Sequence, residues 1–171
     1  MEIKPEIKFG LMAAIAAISL TLLQYGLGWH SEQFNLGHYS SYALYIFLFL
    51  CLNLNLREKR IDLGIDFSFR KAMRSSLILL LIASVMSSGF LFVYSYHINP
   101  LWVEAMVQWQ AGHNGFSSVY NYNPNETTLV LSNTEIYLCL YFLSQMVAGL
   151  SIAFAITAYL LMGKKSSSTG A

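Results

Sequence analysis

Four apolar stretches, near residues 9–28, 39–56, 75–96 and 136–162, alternate along the chain with more polar connections. About twenty helical residues at about 1.5 Å each cover about 30 Å, the thickness of a bilayer's hydrocarbon core. The connections are short, so one domain over residues 1–171 accommodates the whole pattern. The expected fold is therefore all-α: an integral membrane four-helix bundle. A middle loop at 57–74 joins spans two and three, and an outer segment at 97–135 carries an extra amphipathic helix between spans three and four.

Within the spans, small residues recur every fourth position. Gly10 and Ala14 form one such set; Ala13, Ala17 and Thr21 form a second. Ser84 and Ser88 in the third span, and Gly149, Ala153 and Thr157 in the fourth, repeat the pattern. Four-residue spacing aligns each set on one helix face and lets helix backbones approach closely. The plainer account of the alanines is their helix propensity. Gln24 and Gln145 are the most polar deep groups and are expected to bond to each other or to backbone; Asn53 and Asn55 are expected to face neighbouring helices or head groups. Tyr39, Tyr42 and Tyr45 suit the aromatic belt at a membrane interface.

The connections carry boundary signals. Asp66 and Ser68 are candidate N-caps for the third helix, with Phe67 and Phe69 docking at the interface beside them. Asn99-Pro100 ends that helix and opens another, in which Trp102, Met106 and Trp109 share a face. These three residues are expected at the outer interface, either on the leaflet surface or as a lid over the bundle. Ser132-Asn133-Thr134-Glu135 reads as a capping box for the fourth span.

Hydrophobic residues make up 56% of the chain and charged residues only 11%, against about 25% charged in an ordinary soluble domain. The few charges are sorted. All ten Lys and Arg lie at Lys4 and Lys8, at Arg57, Lys59, Arg60, Arg70, Lys71 and Arg74, or at Lys164 and Lys165. The two intervening connections hold Glu32, Glu104, Glu126 and Glu135 and no basic residue. Basic residues flanking spans are retained in the cytoplasm. Both termini and the middle loop are thus expected inside a bacterial cytoplasmic membrane. Lys4 and Lys8 before an apolar stretch also suit a signal peptide, but the stretch is too long and no small-x-small site follows, so an uncleaved span is expected. The basic loop reads as a topology signal facing anionic lipid, with no nucleic-acid partner.

None of the spans places Asp, Glu, Lys, Arg or His near its centre, where an ionisable residue would mark a transport or catalytic site. His30, His38, His97 and His113 all fall on the outer side and are the candidate metal ligands, imidazole being a common donor to transition metals. No pair has helical i, i+4 spacing, and a polar belt role competes with ligation. Cys51 and Cys139 are expected at different depths as free thiols, too far apart for a disulfide. No catalytic residue and no cofactor is expected.

Three local patterns point to a family. They are Lys8-Phe9-Gly10-Leu11 opening the first span, Asp62-Leu63-Gly64-Ile65-Asp66-Phe67-Ser68-Phe69 with Lys71-Ala72 and Arg74, and Tyr96-His97-Ile98-Asn99-Pro100. In order and spacing, from about Lys8 to Leu161, the chain resembles a family of bacterial four-pass inner-membrane proteins classified as domain of unknown function 4199. It departs from that pattern at Ser75-Ser76, where glycine is expected. The resemblance implies a four-helix bundle in the cytoplasmic membrane and no activity or functional residues.

The leading functional expectation is a non-enzymatic accessory or scaffolding membrane protein, in contact with the lipid bilayer and with a second copy or a membrane protein partner. A small oligomeric transporter or channel would need Asn53, Asn55, Ser84, Ser88 and Gln145 to line one cavity. An outer-face metal-binding protein or membrane enzyme would need the histidines gathered with glutamates.

Overall fold

A computed structural model describes residues 3–30, 34–103, 105 and 134–166, with 34, 35, 38, 41 and 163–166 by backbone alone. Four long helices dominate: α1 (Pro5–Gly26), α2 (Phe34–Leu63), α3 (Phe69–Val93) and α4 (Thr134–Ser166). A 3-10 turn (Gly64–Asp66) joins α2 to α3, and a π turn (Tyr94–Ile98) extends α3. The described residues contain no strand. Among the described residues, three helices are long and apolar enough to cross a membrane: Pro5–Gly26, Phe69–Ile98 and Thr134–Met162.

The helices alternate in direction. Lys8 of α1 meets Glu58 of α2 at one end, and Gln24 meets Ser40 at the other. Asn55 of α2 meets Ser75 of α3, and Ser87 of α3 meets Gln145 of α4. α3 packs against all three other helices; α2 touches all three as well, and α1 and α4 lie apart. Of the two alternatives for Gln24 and Gln145, bonding to each other or to backbone, Gln24 takes the second at the Gly37 carbonyl, and Gln145 instead meets Ser87 in a different seam.

Close approach explains the packing. Gly10 of α1 lies against Leu79 and Ile82 of α3, and a Cβ there would come within 3.0 Å of Ile82 Cβ. Ala13, Ala14 and Ala17 are buried on the same side of α1. Ala153 and Thr157 of α4 and Ser76 and Ser84 of α3 are buried as well, and Ser88 is half-buried. With small side chains in the seams, dispersion contacts between backbones supply attraction that lipid-facing leucines cannot. The larger core residues Leu52, Leu56, Leu79 and Leu80 are fully buried in the apolar cluster that the four helices share.

Outward faces carry large apolar side chains instead. Ile15, Ile46, Phe47, Val85, Phe92 and Val147 are all exposed. Contiguous exposed apolar surface of this kind marks a membrane or partner surface.

Both ends of α2 differ from the sequence reading. α2 begins at Phe34 and continues through Arg57, Glu58, Lys59 and Arg60 to Leu63, so the residues read as the start of the middle loop are helical. Lys, Arg and Glu are good helix formers, and here they are anchored by α1: Lys8 Nζ lies 3.0 Å from Glu58 Oε1, and Lys59 Nζ 3.0 Å from Glu6 Oε2. Ser68 occupies the extended N-cap position of α3 without a side-chain capping bond. Phe67 is buried in the main core and not at a lipid interface, whereas Phe69 is exposed and meets Phe154 edge-on.

Candidate functional site

At the end of the molecule opposite the basic residues, a polar and aromatic cluster closes the helices. Its geometry begins with the end of α1. Gly28 has φ +72°, and the Trp29 amide bonds back to the Gln24 carbonyl at 2.9 Å. The left-handed glycine reverses the chain and folds His30 back against α3. α2 then starts so close that a Cβ at Gly37 would sit 2.9 Å from the Trp29 carbonyl oxygen.

On the other side, the π turn brings the Asn99 amide to the Tyr94 carbonyl at 2.9 Å. Such turns are frequent at functional sites because they re-aim side chains out of helical register. Here the turn swings the Asn99 side chain over the Tyr94 hydroxyl. Tyr94 itself is fully buried.

A continuous hydrogen-bond chain results. Asn99 Nδ2 donates to Tyr94 Oη (3.3 Å), and the Tyr94 hydroxyl donates to His30 Nδ1 (2.6 Å). His30 Nε2 donates to Gln24 Oε1 (3.1 Å). Gln24 Nε2 then donates to Ser40 Oγ (2.6 Å) and to the Gly37 carbonyl (3.3 Å), which also accepts from Ser40 Oγ (2.9 Å). Because an amide oxygen only accepts, the imidazole proton resides on Nε2 and Nδ1 is free to accept from Tyr94. The chain is satisfied only with His30 neutral. Burial enforces the same state, pushing the His30 pKa down to about 4.

Rings wall the chain. Trp102 is buried and lies 5.2 Å from the His30 ring, 5.8 Å from Tyr94 and 5.2 Å from Tyr137 of α4. Tyr25 meets Tyr94 edge-on at 5.8 Å. Trp102 opens a helical turn after Pro100, as the Asn-Pro step predicts, and packs as a lid residue on the helix ends. Its partners on the predicted amphipathic face, Met106 and Trp109, lie outside the described residues, as do His113 and the capping residues Ser132 and Asn133.

Both nitrogens of His30 are engaged, His97 is exposed on the π turn, and His38 is described by backbone alone. No group of three His, Cys, Asp or Glu residues with metal-binding geometry occurs among the described residues. Cys51 is buried, Cys139 is exposed, and both are free thiols.

The amides deep in the helices are held at different places. Asn55 Nδ2 donates to Ser75 Oγ at 3.2 Å between α2 and α3. Ser87 Oγ donates to Gln145 Oε1 at 3.1 Å between α3 and α4. Asn53 faces a shallow groove between α2 and α4. Asn53, Asn55 and Gln145 therefore lie in three different seams. Ser75, marked in the sequence only as a departure from a family pattern, is the partner of the most buried asparagine.

The sequence singled out His30 for its imidazole and Gln24 for its depth, but nothing marked Tyr94 as their partner. Sixty-four positions separate it from His30, and no motif spans them.

No curated protein and no solved structure matches the chain. A family model, described as protein of unknown function (DUF4199), matches residues 8–163. That span takes in α1 from Lys8, all of α2 and α3, α4 as far as Gly163, and the closed cluster at their ends. The chain belongs to the DUF4199 family of proteins of unknown function.

Proposed function

We propose that this protein is a four-pass component of the bacterial cytoplasmic membrane, with both termini and the Gly64–Asp66 turn in the cytoplasm, acting as a non-enzymatic scaffold or accessory subunit. One observation carries the reading: the buried amides of the helix seams and their partners are spent within the protein. Gln24, Asn55, Ser75, Ser87, Gln145 and both nitrogens of His30 bond within the protein. A transport pathway or catalytic centre would need such groups turned toward a ligand.

The alternating helices support the topology by gathering Lys4, Lys8, Arg57, Lys59, Arg60, Arg70, Lys71 and Arg74 at one end. α2 belongs in the bilayer with the other three on this reading, because it packs against each of them along a shared apolar core. The outer segment that follows Trp102 is the surface offered to a membrane protein partner or a second copy.

Two experiments test the proposal. A reporter fused after Ala171 should report the cytoplasmic side, and a thiol probe at an Asn121→Cys substitution the outer side. Cross-linking in native membranes should then trap the protein with a partner or with itself; recovery solely as a monomer would refute the scaffolding role.

A further inference from the structure

Three of the four consecutive charges at the basic end of α2, Arg57 to Arg60, face identifiable neighbours. Glu58 pairs with Lys8, and Lys59 pairs with Glu6, both on α1. Arg57 faces the other way, toward α4, and has no carboxylate partner among the described residues. It stands over a groove of about 260 Å³ between α2 and α4. Asn53, one helical turn along, lies on the same face, and Tyr159 of α4 stands opposite. Below them the walls are Phe49, Ala155 and Ile156, all apolar.

A cation, an amide and a phenol above an apolar slot match a molecule with an anionic head and a hydrocarbon tail. Phe49 lies eight residues from Arg57, so the slot runs for about 12 Å along α2. We infer that this groove is a specific site for an anionic phospholipid, its phosphate on Arg57 and Asn53 and one acyl chain between α2 and α4. Arginine suits the role, since its guanidinium can bind a phosphate through two parallel hydrogen bonds. The placement in the cytoplasmic leaflet rests on the topology proposed above; the site itself does not.

The test uses detergent-purified full-length protein, with phosphatidylglycerol and phosphatidylcholine as probes and retained lipid counted by native mass spectrometry. Wild type should retain phosphatidylglycerol in preference to phosphatidylcholine. Arg57→Gln should weaken retention about fivefold, the effect of one basic residue at an anionic membrane surface. Ala155→Phe, at an exposed position, fills the slot without touching the core or the charge and should weaken retention at least as much. Arg70→Gln removes an exposed charge that does not line the groove and should leave retention unchanged.

Equal losses in Arg57→Gln and Arg70→Gln would reduce the effect to general surface charge and overturn the site. So would unchanged retention in Ala155→Phe, equal retention of both lipids, or displacement of phosphatidylglycerol by inorganic phosphate. A shift of Ala155→Phe to a smaller oligomer, with lipid retention intact, would make the groove a seam between copies and also overturn it. None of these outcomes depends on sidedness, which the reporter at Ala171 reads separately.

Discussion

Acidification should loosen the end of this protein opposite its basic residues through His30, and the size of the effect follows from its surroundings. His30 lies in the connection between α1 and α2, where burial holds its pKa at about 4 against an ordinary 6.5. Between those values the unfolded chain binds a proton that the folded protein refuses. Stability is therefore complete above about pH 6.5 and declines as pH falls toward 4. At pH 5 the difference amounts to about 2 kcal/mol, and solvent reaching the half-buried ring reduces this to about 1 kcal/mol. Protonation also places a second N–H against the Tyr94 hydroxyl, which must then reverse and lose its acceptor. The assay is thermal unfolding of detergent-solubilised protein at pH 7 and pH 5, wild type against His30→Gln. Glutamine keeps a donor and an acceptor but does not titrate. Carboxylates such as Glu6 contribute equally to both proteins and cancel in the comparison. Wild type should lose about 2–4 °C more than the variant on acidification. Identical pH dependence in the two proteins would show that His30 is not held neutral by this cluster.

Tyr94→Phe should cost about 1–3 kcal/mol, since it removes the donor to His30 and the acceptor for Asn99 inside a closed cluster. Combined with Gln24→Leu in a double-mutant cycle, its effect should fall short of additive, because both act through His30. Asn55→Ala should cost about 1–2 kcal/mol, read by thermal melting; a second change, Ser75→Ala, should add little once the asparagine is gone. Gly149→Val should destabilise by about 1–3 kcal/mol, because a Cβ at that position comes within 2.2 Å of Leu80 Cδ2 and Leu80 is fully buried. Gly89→Ala, which puts the new carbon into open space beside the helix, should be neutral or stabilising by up to about 1 kcal/mol.

The chain's one-dimensional pattern determined the helices, because apolar length, proline position and the sorting of basic residues are local properties of consecutive residues. The Ser68 boundary, the Asn99-Pro100 break and the small faces around Gly10 and Gly149 are all visible in that way. The continuation of α2 through Arg57–Arg60 was not: charged residues mark where lipid ends, and a helix ends elsewhere when a neighbour such as α1 holds its charges. The choice of partners belongs to tertiary structure alone. Which seam receives Gln24, Asn55 or Gln145 depends on how each helix is rotated about its axis and which helices are neighbours. Tyr94 reaches His30 because a left-handed glycine turns one chain end back and a π turn shifts the register of the other. Neither rotation nor adjacency is encoded in any single span, so the closed cluster and the Arg57 groove emerge only when four helices pack together.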